Sequence, residues 1–219
     1  CTLMVGPLGQ LQRVVSIVPL WMEGPQGLIL VELGRLERGA ERAEASGRLP
    51  AAKQPAGETL GAVYVDLLQG FDLQPVHVEL LGVEREVEWR ESRGCGVCTK
   101  YLRTVHRVRL GGELPLRALD SAEAKAAAAR PRRSLLQQLR PSSTSSNAEI
   151  SELMPSTAYA IADEERCVFY GWLDAAALRR CATPAGQGEL EAVLARLGRL
   201  APKDAARCPR STTVRRSFI

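Results

Sequence analysis

The chain has 219 residues, of which 45% are hydrophobic and 25% charged, enough apolar surface for a buried core and too much for global disorder. Its 29 basic and 25 acidic residues leave a formal charge of +4, too small a surplus to indicate nucleic-acid binding without a concentrated patch. The longest apolar runs, such as "GLILVELG" at 27–34, fall far short of the roughly 20 residues a membrane-spanning helix needs, so no transmembrane segment is expected. Six irregularly placed cysteines are too sparse for a disulfide-stapled secreted scaffold and point to a reducing, cytoplasmic setting. The chain opens on Cys1 with no basic segment leading into an apolar one, so no secretory signal is read there.

In chain order, residues 14–34 read as two short strands interrupted by a turn at Gly24, Pro25 and Gly27. The charged stretch 34–58, rich in Ala, Gly and Pro and without an apolar stripe, reads as a long exposed loop. At 60–69 Val63, Val65 and Leu67 alternate with Tyr64 and Asp66, the pattern of a half-buried strand. Residues 76–82 place Val76, Val78 and Leu80 opposite His77 and Glu79. In 83–91 Val83, Val87 and Trp89 oppose Glu84, Glu86, Glu88 and Arg90, which assigns Trp89 to the core. After a turn holding two glycines and Cys95 and Cys98, residues 101–110 set Leu102, Thr104, His106, Val108 and Leu110 against Arg103, Arg107 and Arg109.

The arginine row complements the glutamate row before it, as a register-fixing antiparallel hairpin over 83–110 requires. Successive short strands with one polar face predict a mainly β fold, an antiparallel β-sandwich. Domain 1–120 holds these strands. Residues 121–150, an alanine-rich run, a Pro break, a basic cluster and a Ser/Thr-rich segment, read as a linker. A more helical C-terminal part occupies 151–219: strand-like pieces at 157–162 and 167–173, then a helix with Leu190, Val193, Leu194, Leu197 and Leu200 on one stripe.

Over 57–116 the order Gly61 with Val63, then Val76 to Gly82, then Val87, Trp89 and Glu91, then Tyr101 and Leu102 resembles the N-terminal lobe of the arrestin-like clan. The α-arrestins and the arrestin-like retromer subunit share that rhythm. The chain has no Pro-Pro-x-Tyr motif, so the ligase-recruiting role of α-arrestins is not expected. The resemblance implies an arrestin-like sandwich without chemistry of its own, an adaptor or scaffold that binds other proteins in intracellular trafficking or signalling, cytoplasmic or at endomembranes. The alternative is a structural subunit of a larger assembly, stabilised by zinc at Cys95 and Cys98.

Two thiolates at Cys-x-x-Cys spacing supply half of a structural zinc site, and no second pair or ligand-spaced histidine completes it in sequence. A hairpin loop is the other reading of the same residues. His106 is in phase with core positions, His77 faces solvent, and no nucleophile, base and orienting carboxylate can be grouped, so neither catalysis nor a cofactor is expected. Arg103, Arg107 and Arg109 form either a solvated ladder with the glutamates or a basic stripe for an acidic or phosphorylated peptide. Ser217, Phe218 and Ile219 at the end of the chain match the C-terminal ligand that PDZ domains capture by strand addition. "RPRRSLL" and "VRRSFI" each place a serine after paired arginines, where phosphorylation would neutralise a basic patch.

Overall fold

The computed structural model describes residues 2–6, 9–91, 97–116, 118–119, 155, 157–163 and 165–198. They fall into two compact units: one up to Leu30 and from Leu49 to Leu116, the other formed by Val31–Arg48 and the described residues beyond 117.

In the first unit, β1 (Thr2–Val5) pairs antiparallel with β2 (Leu11–Glu23). A turn around Pro25–Gly27 leads into β3 (Ile29–Glu37), which runs on into the second unit. The turn closes where Gln26 and Gly27 both adopt positive φ, a conformation glycine enters freely. β5 (Ala51–Lys53) pairs with β2, and α1 (Leu60–Gln69) follows. β6 (Val78–Glu91) and β7 (Cys98–Leu110) form the antiparallel hairpin read from the charge rows, Glu86 opposite Arg103 and Glu91 opposite Cys98. A register shift between Leu80 and Gly82 separates the two apolar phases seen in the sequence, because a bulge inserts one residue and resets which side chains share a face.

The decisive pairing is that of β7 with β2, which is parallel, from Gln12 beside Cys98 to Glu23 beside Arg109. With β6 on the far side of β7 and β1 and β5 on β2, the unit is a mixed sheet. The antiparallel sandwich of arrestin type is thereby corrected. The strand expected at 60–69 is also a helix. Thr59 caps it, its hydroxyl accepting from the Ala62 amide at 3.1 Å, and Val63, Leu67 and Leu68 are buried at helical spacing. Trp89, assigned to the core, is 50% exposed, and Val87 beside it in phase is 56% exposed. Among the described residues no second sheet covers β6, so this alternating strand has both faces largely exposed.

The second unit contains β3 from Val31 onward, β4 (Glu44–Arg48), β8 (Ala118–Leu119), β9 (Ala158–Ala162) and β10 (Arg166–Leu173), with β4 on β3 and the order β3-β10-β9-β8. The stretch 34–58 was expected to be loop; β4 and β5 lie in it. Two helices complete the unit, α2 (Ala175–Cys181) capped by Asp174 and α3 (Pro184–Leu197) capped by Thr183. Pro184 at the first turn of α3 gives up an amide that has no helical partner there. The predicted stripe is buried at Leu190, Val193, Leu194 and Leu197. Gly47 in β4 has φ +61, and a Cβ there would sit 2.6 Å from the Cys181 Cβ and 2.8 Å from Leu190 Cδ1, so only glycine lets the strand lie against both helices. The linker expected at 121–150 lies outside the described residues.

Candidate functional site

A carboxylate stands in the middle of an apolar strand. Ile29, Leu30, Val31 and Leu33 of β3 are buried, and so is Glu32, 1% exposed among them. Removing a carboxylate from water costs several kcal/mol unless cations and hydrogen bonds replace the solvent. Arg35, one strand turn on, donates to Glu32 Oε1 from Nη2 at 2.7 Å and Nε at 3.3 Å. Arg48, brought alongside by the pairing of β4 with β3, donates to the same oxygen from Nη2 at 3.2 Å and Nε at 3.3 Å.

On the neighbouring β10, Tyr170 is buried and its hydroxyl is pushed far above the ordinary tyrosine range, first by burial and then by the Glu32 charge, with Arg35, Arg166 and Arg48 opposing. Arg166 also faces Asp163 at 3.6 Å. The arginines are graded from core to solvent: the side chains of Arg35 and Arg166 are nearly covered, whereas that of Arg48 is 46% exposed. Bidentate guanidinium forks suit planar or tetrahedral oxyanions.

The arginines singled out in sequence lie in the first unit and are ion-paired across the hairpin. Arg103 meets Glu86 at 3.9 Å and Glu88 at 3.5 Å, Arg107 meets Glu84 at 3.1 Å and Glu23 at 3.5 Å, and Arg109 meets Glu79 at 3.2 Å and Glu23 at 3.7 Å. Arg107 also lies over the Trp21 ring at 5.0 Å, and the bond to Glu84 strengthens its hold on the proton. Glu23 is a partner the sequence reading missed, because it comes from β2 through the parallel pairing.

His106 is buried as its phase required. Its ring stacks on Tyr64 of α1 at 4.6 Å, and Nδ1 donates to the Thr104 carbonyl at 3.3 Å. Burial lowers its pKa, against the weaker opposing effect of that bond. His77 is exposed, and its Nδ1 accepts from the Gln74 amide.

Of the cysteine pair, Cys98 is a half-buried free thiol at the start of β7, and Cys95 lies outside the described residues. Among the described residues no three or more of His, Cys, Asp and Glu group to hold a metal ion. Cys167 and Cys181 are free thiols. Burial, with Asp163 nearby, raises the first, and burial pushes the second up to about 11. Ser217 and Ile219 lie outside the described residues, as do both serines that follow arginine pairs. Among the described residues no helix is long and apolar enough to cross a membrane.

No protein-family model matches the chain, and no curated protein does. Solved structures similar to it include the crystal structure of the C. elegans Ap4A hydrolase, 13% identical at a TM-score of 0.31 over 48% of this chain and 75% of that one. Another is the crystal structure of RenU, a Nudix hydrolase from M. smegmatis, 13% identical at a TM-score of 0.32 over 52% and 70%. A third is the solution structure of the E. coli ORF135 protein, 19% identical at a TM-score of 0.29 over 48% and 66%. Scores of this size transfer no residue role.

None of these three is an arrestin, and two are named as hydrolases. The parallel β2–β7 pairing within a mixed sheet overturns the arrestin resemblance, and the non-catalytic adaptor or scaffold built on it falls with it. The alternative of a zinc-stabilised structural subunit finds no support among the described residues.

Proposed function

We propose that the second unit binds a small phosphate-bearing molecule through Arg48, with Arg35 and Arg166 behind it. The single observation that carries this is that two guanidiniums, those of Arg35 and Arg48, converge on one oxygen of the buried Glu32 carboxylate. A buried glutamate needs only enough positive charge to cancel its own, and Arg35 already supplies it at 2.7 Å. Arg48 adds a second fork whose side chain is 46% exposed, so it reaches solvent with donors to spare. A guanidinium has five N–H donors, and Glu32 takes two of those on Arg48. A phosphate group offers the strong acceptors that such a fork prefers over a single carboxylate.

Titration calorimetry with inorganic phosphate, pyrophosphate, adenosine, its mono-, di- and triphosphates and diadenosine tetraphosphate tests the assignment. Phosphorylated members bind and adenosine does not. Arg48→Ala weakens binding about tenfold or more, as the loss of a charge-assisted bond predicts, while Arg48→Lys retains part of it. Equal binding of adenosine and its phosphates, or undiminished binding by folded Arg48→Ala, overturns the proposal. Following inorganic phosphate release over the same panel reads any turnover directly.

A further inference from the structure

β6 ends its sheet. Among the described residues it pairs with β7 alone, so alternate amides and carbonyls along its outer side have no strand partner. Edges of this length invite pairing with another chain unless charge or curvature prevents it. On the face that contains Trp89 it also presents Leu80 (53% exposed), Val83 (48%) and Val87, an apolar row open to solvent.

The charges on β6 do not repel a second copy of the same strand. Laid antiparallel on itself about a two-fold axis at Glu88, the sequence Arg85-Glu86-Val87-Glu88-Trp89-Arg90-Glu91 meets its own complement. Arg85 falls opposite Glu91, Glu86 opposite Arg90 and Val87 opposite Trp89, each twice. Only Glu88 meets its like, and that carboxylate is already paired with Arg90 and with Arg103 of β7. A two-fold at Val87 instead sets Glu86 against Glu88 twice, and one at Arg85 sets Arg85 against itself and Glu84 against Glu86. Opposite charges and an aromatic facing a β-branched residue are the favourable cross-strand pairs, and like charges directly opposite are the unfavourable ones.

We propose that β6 is a homodimerisation edge, two copies joining their sheets antiparallel about Glu88. The interface is isologous, the same strand serving both sides, and its register is set by the Arg85–Glu91 and Glu86–Arg90 pairs. Arg85 is committed to no ion pair with a described residue, which leaves it to the partner strand.

Sedimentation equilibrium over a concentration series, with circular dichroism to confirm folding, tests the assignment. The wild-type chain dimerises. Arg90→Glu, which sets two glutamates against two, raises the dissociation constant about tenfold, and adding Glu86→Arg restores it by swapping the charges. Under mild oxidation E88C cross-links to its own copy, because only the residue on the axis meets itself, whereas E84C does not. Peptide mapping separates that bond from any made by native cysteines. A chain that stays monomeric at every concentration overturns the proposal and leaves the edge to a different protein. So does a dimer indifferent to Arg90→Glu, or one that cross-links through E84C rather than E88C.

Discussion

Arginine and glutamate hold both units together, in opposite settings. Along β6 and β7 the pairs lie in water, every arginine of the row with a third or more of its side chain exposed. On β3 the single carboxylate of Glu32 is enclosed with Arg35 and reached by Arg48. Exposed pairs contribute about 0 to 1 kcal/mol, because water solvates the separated charges nearly as well and salt screens them. A buried pair adds little over an apolar replacement, yet breaking it strands a charge without solvent. The hairpin's ion pairs therefore set register, while the buried cluster on β3 is where removing one partner is most costly.

The largest effect expected is that of Glu32→Ala, which leaves Arg35 covered and uncompensated. It should cost about 3 to 5 kcal/mol in urea unfolding, and a loss below that of an exposed pair would erase the distinction between the regions. Gly47→Ala comes next. A positive φ with a Cβ pressed on Cys181 and Leu190 should destabilise by about 1 to 3 kcal/mol, read in the same assay.

In the first unit the sensitive group is a buried histidine rather than an ion pair. The pKa of His106 is lowered from 6.5 by burial, so the folded chain holds fewer protons than the unfolded one. Its contribution is full above pH 6.5 and is lost as pH falls through that value toward the lowered folded one. His106→Phe should flatten the stability slope in this window. A slope that survives His106→Phe assigns the titration elsewhere. The smallest effect belongs to Arg107→Ala, with its partners on Glu84 and Glu23. A cost of about 1 kcal/mol or less, shrinking as salt rises, is the expected outcome, and a larger, salt-insensitive loss would make the ladder structural.

Local chemistry was enough for some elements. Glu86 faces Arg103 because a period-two charge row fits one register. Leu190, Val193, Leu194 and Leu197 form a helix face because their spacing matches 3.6 residues per turn. The same kind of reading failed at 60–69. Val63, Val65 and Leu67 alternate as in a strand, yet Val63, Leu67 and Leu68 also lie on one helical face, and a ten-residue run satisfies both periods. The arbiter was Thr59, whose hydroxyl caps the first turn, a signal present in the sequence and overlooked. Glu32 was legible in the same sense: a lone acid inside "LILVEL" must find a cation or stay out of the core.

Only the tertiary structure decided that β2 and β7 run parallel, that Glu23 serves Arg107 and Arg109, and that Trp89 stands in water. Alternation states that a strand has two unlike faces, not whether anything covers either of them. Coverage comes from segments distant in sequence, and among the described residues none lies over β6. What the amino-acid sequence determined by itself was the local period, the caps and the register of a hairpin, since those depend on neighbours along the chain or across one turn. Pairing direction, burial and the gathering of Arg35, Arg48 and Arg166 around Glu32 and Tyr170 depend on which distant strands become adjacent, and the free energy that selects them is spread over the whole core rather than written in any one stretch.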